Sequence, residues 1–85
     1  MPPRLVVVHR DGCELCDEML RDLEELRSRA PLPPIDVVDV DSDAHLARRY
    51  GLNVPVLLLD DAVVCRHRLD AVELLRLLRR SSAEG

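Results

Sequence analysis

Eighty-five residues carrying a net charge of −4 are room for one domain, with acids and bases mixed along the chain. That balance argues against nucleic-acid binding: the basic clusters Arg48–Arg49, Arg66 to Arg68 and Arg79–Arg80 have acidic neighbours and no interleaved aromatics for base stacking. The opening apolar run, Leu5 to Val8, is too short for a signal-peptide core or a membrane span, so the expectation is a cytoplasmic chain with no membrane partner.

A domain this small buries a modest fraction of its surface, so its core must be efficient. The material is aliphatic: sixteen leucines and eleven valines stand against one aromatic, Tyr50. The first run, Leu5 to His9, is β-branched and bounded by Pro3 and by Asp11–Gly12, which predicts a central strand buried on both faces. Gly12 permits a tight turn, and Asp11 is the expected cap of the helix beyond it. Leu15, Met19, Leu23 and Leu26 recur at helical spacing, and Pro31, Pro33 and Pro34 stop that helix.

Ile35 to Val40 predicts a second strand, which makes a βαβ unit with parallel strands. Ser42 or Asp43 caps a short helix that carries Ala44, Ala47 and Tyr50 and is closed by Gly51. Val56 to Leu59 and Ala62 to Arg66 are separated only by Asp60–Asp61, the spacing of a two-residue antiparallel hairpin. Asp70 caps a last helix with Ala71, Leu74, Leu75 and Leu78 as its apolar stripe, and Ser81 to Gly85 is expected to fray. The order βαβ-α-ββα predicts an α/β domain over residues 1–85, with its core at about 4–80. A mixed four-stranded sheet with helices on both faces is the economical arrangement.

The chemistry concentrates at Cys13-Glu14-Leu15-Cys16, where the first strand meets the first helix. A helix N-terminus offers unpaired N–H groups and the positive end of the macrodipole, and both stabilise a thiolate. Thiolate is the nucleophile of disulfide exchange, and the two-residue spacing lets the second sulfur close onto the first. Cys13, nearer the helix start, is the expected attacking thiol; Cys16, one turn inside, is the resolving thiol. In a reducing compartment such cysteines are more often redox groups or metal ligands than structural staples. Two other readings stand beside this one. Buried cysteines pack as small hydrophobes, and zinc would need two further ligands from His9, His45, His67 and Cys65, which form no second close pair. No metal is expected, and Cys65 reads as a core or bystander thiol. Pro55 begins a strand after Val54: either as a trans proline at the strand's first position, or through a cis bond that presents the Val54 backbone to a ligand.

Cys13-Glu14-Leu15-Cys16-Asp17 and Tyr50-Gly51-Leu52-Asn53-Val54-Pro55 resemble the C-x-L-C-D and Y-G-x-x-V-P motifs of small bacterial glutaredoxin-like proteins, a branch of the thioredoxin superfamily. The likeness runs from Leu5 to Leu78. It implies a thioredoxin-like fold with the first strand central and the hairpin strands on one side. It also implies a cis Pro55 beside Cys13 and a Val54 main chain that pairs with a bound peptide or glutathione. Arg10, three residues before Cys13, would hold a glutathione carboxylate, and Asp70 would stand for the capping acid whose helix start receives another. The implied activity is thiol–disulfide exchange with protein or glutathione mixed disulfides, by a monomer that needs no cofactor beyond glutathione as reductant or substrate.

The chain departs from the glutaredoxin pattern at three places. Glu14-Leu15 replaces the usual Pro-Tyr between the cysteines, no Gly-Gly pair precedes the last helix, and Val7 stands where thioredoxins keep a buried acid. The acids around Cys13 oppose thiolate formation and predict a less oxidising couple than in strongly activated relatives. The alternatives to an enzyme are a non-catalytic interaction domain using the Pro55 groove, and a metal- or cluster-binding module using Cys13.

Overall fold

The structure is a computed structural model and describes residues 2–84. Four strands, β1 (Leu5–His9), β2 (Ile35–Asp39), β3 (Val56–Leu59) and β4 (Ala62–Arg66), form one sheet in the order β2-β1-β3-β4. β1 runs parallel to β2 and antiparallel to β3, and β3 runs antiparallel to β4. The three helices are α1 (Glu14–Arg27), α2 (Ala44–Tyr50) and α3 (Ala71–Glu84). No helix among the described residues is long and apolar enough to cross a membrane.

Strand alternation divides the core in two. Leu5, Val7, Leu57 and Leu59 face Met19 and Leu23 of α1 and Leu74 of α3. Val8, Val56 and Leu58 face the other way, onto Val40, which follows β2, and Tyr50 of α2. β1 and β3 are thus covered on both faces, and all four residues of β3 are buried. β4 carries a bulge: Leu57 pairs with Cys65 and Leu58 with Val63, so Val64 is the extra residue. Val64 and Cys65 consequently pack against the same α1–α3 cluster.

Several boundaries differ from the sequence expectation, each for a local reason. The cap of α1 is Cys13, whose sulfur accepts the Cys16 N–H at 3.1 Å; Asp11 makes no such bond. β2 ends at Asp39, because the Asp39 carboxylate accepts the Asp41 N–H at 2.8 Å and winds Val40–Ser42 into a 3-10 turn. Asp43, not Ser42, caps α2 by accepting the His45 N–H at 2.7 Å. Gly51 ends α2 with φ −54°, inside the right-handed region. It is needed for space instead: a Cβ there would collide with the Ala47 carbonyl oxygen. Asp70 does cap α3, accepting the Glu73 N–H at 3.0 Å. α3 continues to Glu84, through most of the segment expected to fray; Gly85 lies outside the described residues.

Candidate active site

The C-terminal end of β1 and the N-terminal end of β3 lie together, because Val8 pairs with Val56. The segments leading from one and into the other, 10–13 and 51–55, therefore meet at one end of the sheet. The first carries Cys13 and the second Val54 and Pro55.

Cys13 and Cys16 are joined as a disulfide with Cα atoms 5.2 Å apart. Gly12, at φ +74°, makes the turn that brings the chain from β1 to this point. The two sulfurs are unequal. Cys13 sits half-buried at the cap, where the helix N-terminus and the Cys16 N–H would favour its thiolate. Cys16 is fully buried on the core side of α1. Glu14 and Asp17 stand in the same first turn and oppose that polarisation.

The Val54–Pro55 peptide is cis. Pro55 is fully buried, and Val54 packs half-buried against the α2-side core. The Pro55 carbonyl accepts the His67 N–H at 2.8 Å, which ties this loop to the segment following β4. There the Arg68 N–H reaches back to the Arg66 carbonyl at 2.7 Å around His67, whose φ is +69°. This is a γ-turn with a non-glycine residue in the left-handed region, a costly backbone state.

Arg10 does not extend freely into the site. Its Nε and Nη2 donate to the two Asp41 carboxylate oxygens at 3.0 and 3.2 Å, and its Nη1 donates to the Gly51 carbonyl at 2.9 Å. The pair holds each partner charged: the Asp41 carboxyl lies below the usual carboxylate range through the Arg10 hydrogen bond, and Arg10 is raised by the same bond. Asp70 uses one carboxylate oxygen to cap α3, and its own N–H donates to the Cys65 sulfur at 3.5 Å. Burial raises the Cys65 thiol pKa above its ordinary value, so it is a poor nucleophile. Among the described residues no group of three or more His, Cys, Asp or Glu side chains is placed to hold a metal ion, so His9, His45, His67 and Cys65 do not converge.

Cys13, Cys16, Val54 and Pro55 thus occupy one end of the sheet, whereas Arg10 and Asp70 have groups engaged within the chain. Asp41, Gly51 and His67 also shape this end; the sequence does not single out the first two as site residues and offers His67 only as a zinc ligand. Asp41 is one of several acids in an acidic stretch, and His67 carries no glycine to mark its turn.

Comparison with known proteins places this geometry. The model of the glutaredoxin-like domain (DUF836) matches residues 4–79. The solution structure of protein Ne2328 from Nitrosomonas europaea is similar at 35% identity and TM-score 0.80, over 92% of this chain and 93% of that one. The protein XcR50 from X. campestris follows at 33% identity and TM-score 0.70, over 89% and 96%. Thioredoxin of Fasciola hepatica, at 22% identity and TM-score 0.55 over 92% and 79%, shares the fold. A search of curated proteins gave no match. With its thioredoxin-like sheet, its dithiol at the start of α1 and a family match over nearly its whole length, this chain belongs to the glutaredoxin-like domain family.

Proposed function

We propose that the protein is a thiol–disulfide oxidoreductase that passes two electrons between its Cys13–Cys16 couple and protein or glutathione mixed disulfides. The observation that carries this reading is the asymmetry of the pair: a half-buried Cys13 at the helix cap and a fully buried Cys16 within bonding reach. The Cys13 thiolate attacks one sulfur of a target disulfide, forming a mixed disulfide and expelling the other sulfur as a thiolate. Cys16 loses its proton and attacks the Cys13 sulfur, which expels the second target thiolate and leaves the Cys13–Cys16 disulfide. Two thiol equivalents, such as two glutathione molecules, return the couple to the dithiol and leave as their own disulfide. A reducing compartment such as the cytoplasm would supply them.

Val54, at the lip beside Pro55, is the proposed backbone partner of the bound chain, as a short strand addition. Asp70 would contribute through the N-terminus of α3, to which its side chain is committed as the cap. The exposed Arg66, His67 and Arg68 border the Pro55 loop through the His67–Pro55 bond and would meet whatever part of the substrate extends past Val54.

The test is a titration of the dithiol against glutathione redox buffers, read by alkylation and mass spectrometry. One two-electron transition is expected, lost in Cys13→Ser, while Cys16→Ser accumulates a mixed disulfide on Cys13. Failure of the parent protein to form the intramolecular disulfide in any oxidising buffer would end this reading.

A further inference from the structure

We propose that Arg10 is a positioning residue that sets the spacing between the Cys13 loop and the Pro55 loop, and is not a receptor for a substrate carboxylate. The inference rests on the reading of the dithiol given above. Pairing of β1 at this end stops at His9–Asp39 and Val8–Val56, and the connections adjoining β1, β2 and β3 beyond it are three: 10–13, the 40–42 turn and 51–55. Arg10 touches all three. It belongs to the first, grips Asp41 of the second through both carboxylate oxygens, and donates to Gly51 at the start of the third. Among the described residues, the side-chain hydrogen bonds from segment 10–13 to other elements are the Cys13 cap of α1 and the three made by Arg10, and only those of Arg10 reach the 40–42 turn and segment 51–55.

Each end of this clamp is itself seated. The Asp41 N–H donates to the Asp39 carboxylate at 2.8 Å, which fixes the turn. The Gly51 N–H donates to Ala47 at 2.9 Å, and two residues on the Asn53 N–H donates to Tyr50 at 2.8 Å. Gly51 is itself held in place: a Cβ there would collide with the Ala47 carbonyl oxygen, whereas Arg10 Nη2, 3.5 Å away, would be in ordinary contact. From Asn53 the chain passes directly to Val54 and Pro55. A movement of Arg10 is therefore transmitted to the Val54–Pro55 peptide, at the same end of the sheet as Cys13.

A bidentate carboxylate ligand needs a free edge of the guanidinium fork. Here the Nε–Nη2 edge holds Asp41 and Nη1 holds Gly51. The pair is exposed and adds little to stability, so its loss should leave the fold intact while loosening both loops.

The experiment compares the full chain with Asp41→Asn and Arg10→Met, using Asp36→Asn as the control. Asp36 forms a similarly exposed ion pair with Arg4, which precedes β1 at the opposite end of the sheet. Amide hydrogen exchange is followed at 10–13 and 52–54, and kcat and KM are measured for a glutathione mixed disulfide. Asp41→Asn and Arg10→Met are expected to speed exchange in both loops at least about fivefold. They should also lower kcat alike, with KM within about twofold of the parent value. The control should change neither quantity. The inference is overturned if Asp41→Asn matches the parent, or binds the glutathione substrate more tightly, while Arg10→Met raises KM. Should the parent prove inactive toward disulfides, the oxidoreductase reading fails separately, and unchanged loop exchange in Asp41→Asn still overturns the clamp. If Arg10→Met melts before measurement, Asp41→Asn alone decides.

Discussion

Cys13 stands between opposed fields whose balance sets its chemistry. The Cys16 N–H and the open end of α1 stabilise a charge on its sulfur, while Glu14 and Asp17 in the same turn destabilise it. The acids are exposed, so solvent weakens their effect without removing it. Replacing Glu14 by Gln should therefore lower the pKa of reduced Cys13, at a cost of some tenths of a kcal/mol of favourable helix-dipole energy. The pH dependence of Cys13 alkylation measures the first and urea unfolding the second. An unchanged thiol pKa would mean that Glu14 takes no part in setting it. The dithiol and its acidic surroundings were legible from the sequence because adjacent residues on a helix start share one place in space. The Arg10–Asp41 contact was not legible, since its partners are 31 residues apart and meet only once β1 and β2 are paired. Nothing in Asp41 itself separates it from Asp39 or Asp43.

The elements were read well where a turn has a fixed length and poorly where it depends on backbone conformation. Two residues between β3 and β4 left room for only one kind of connection. Asp60 and Asp61 do adopt positive φ, +49° and +70°, the geometry for which glycine is favoured in second place. The two aspartates are not equivalent. Asp60 accepts the Arg4 N–H on its carboxylate at 2.9 Å and returns its own N–H to the Arg4 carbonyl at 2.9 Å, anchoring the start of β1. Asp61 has no such partner among the described hydrogen bonds. Asp61→Gly should accordingly stabilise the protein by about 0.5–1 kcal/mol, whereas Asp60→Gly should bring no gain because it forfeits the Arg4 bond. Urea denaturation midpoints for the two variants provide the check, and the same ranking for both would refute the assignment. The left-handed His67 was hidden from any reading of residue type, because a glycine would have announced it. Its conformation follows from the tertiary hydrogen bond to Pro55. Gly51 was misread in the opposite sense: its φ is ordinary for any residue, and its value is the close approach of the Ala47 carbonyl one turn back in α2.

At the scale of the molecule, an aliphatic core without Phe or Trp must hold its shape through interdigitation of branched chains, with little aromatic area to compensate for a gap. The chain's length implies a total stability of roughly 4–13 kcal/mol. Leu57 is the most exacting place to test this. It is fully buried in β3, paired with Val7 of β1 on one side and Cys65 of β4 on the other, and it faces the cluster formed by Met19, Leu23 and Leu74. Truncation at that point removes contacts to two strands and two helices at once. Leu57→Ala should cost about 2–5 kcal/mol, a large share of the whole, because the strands on either side are fixed by sheet pairing and cannot close into the space. Val72→Ala, at a side chain 79% exposed on α3, should change stability by no more than about 0.5 kcal/mol. Chemical unfolding of both variants, in oxidised and reduced protein, makes the comparison. A loss at Leu57 as small as that at Val72 would mean that Met19, Leu23 and Leu74 close into the space, and that the packing of α1 and α3 on the sheet is adjustable.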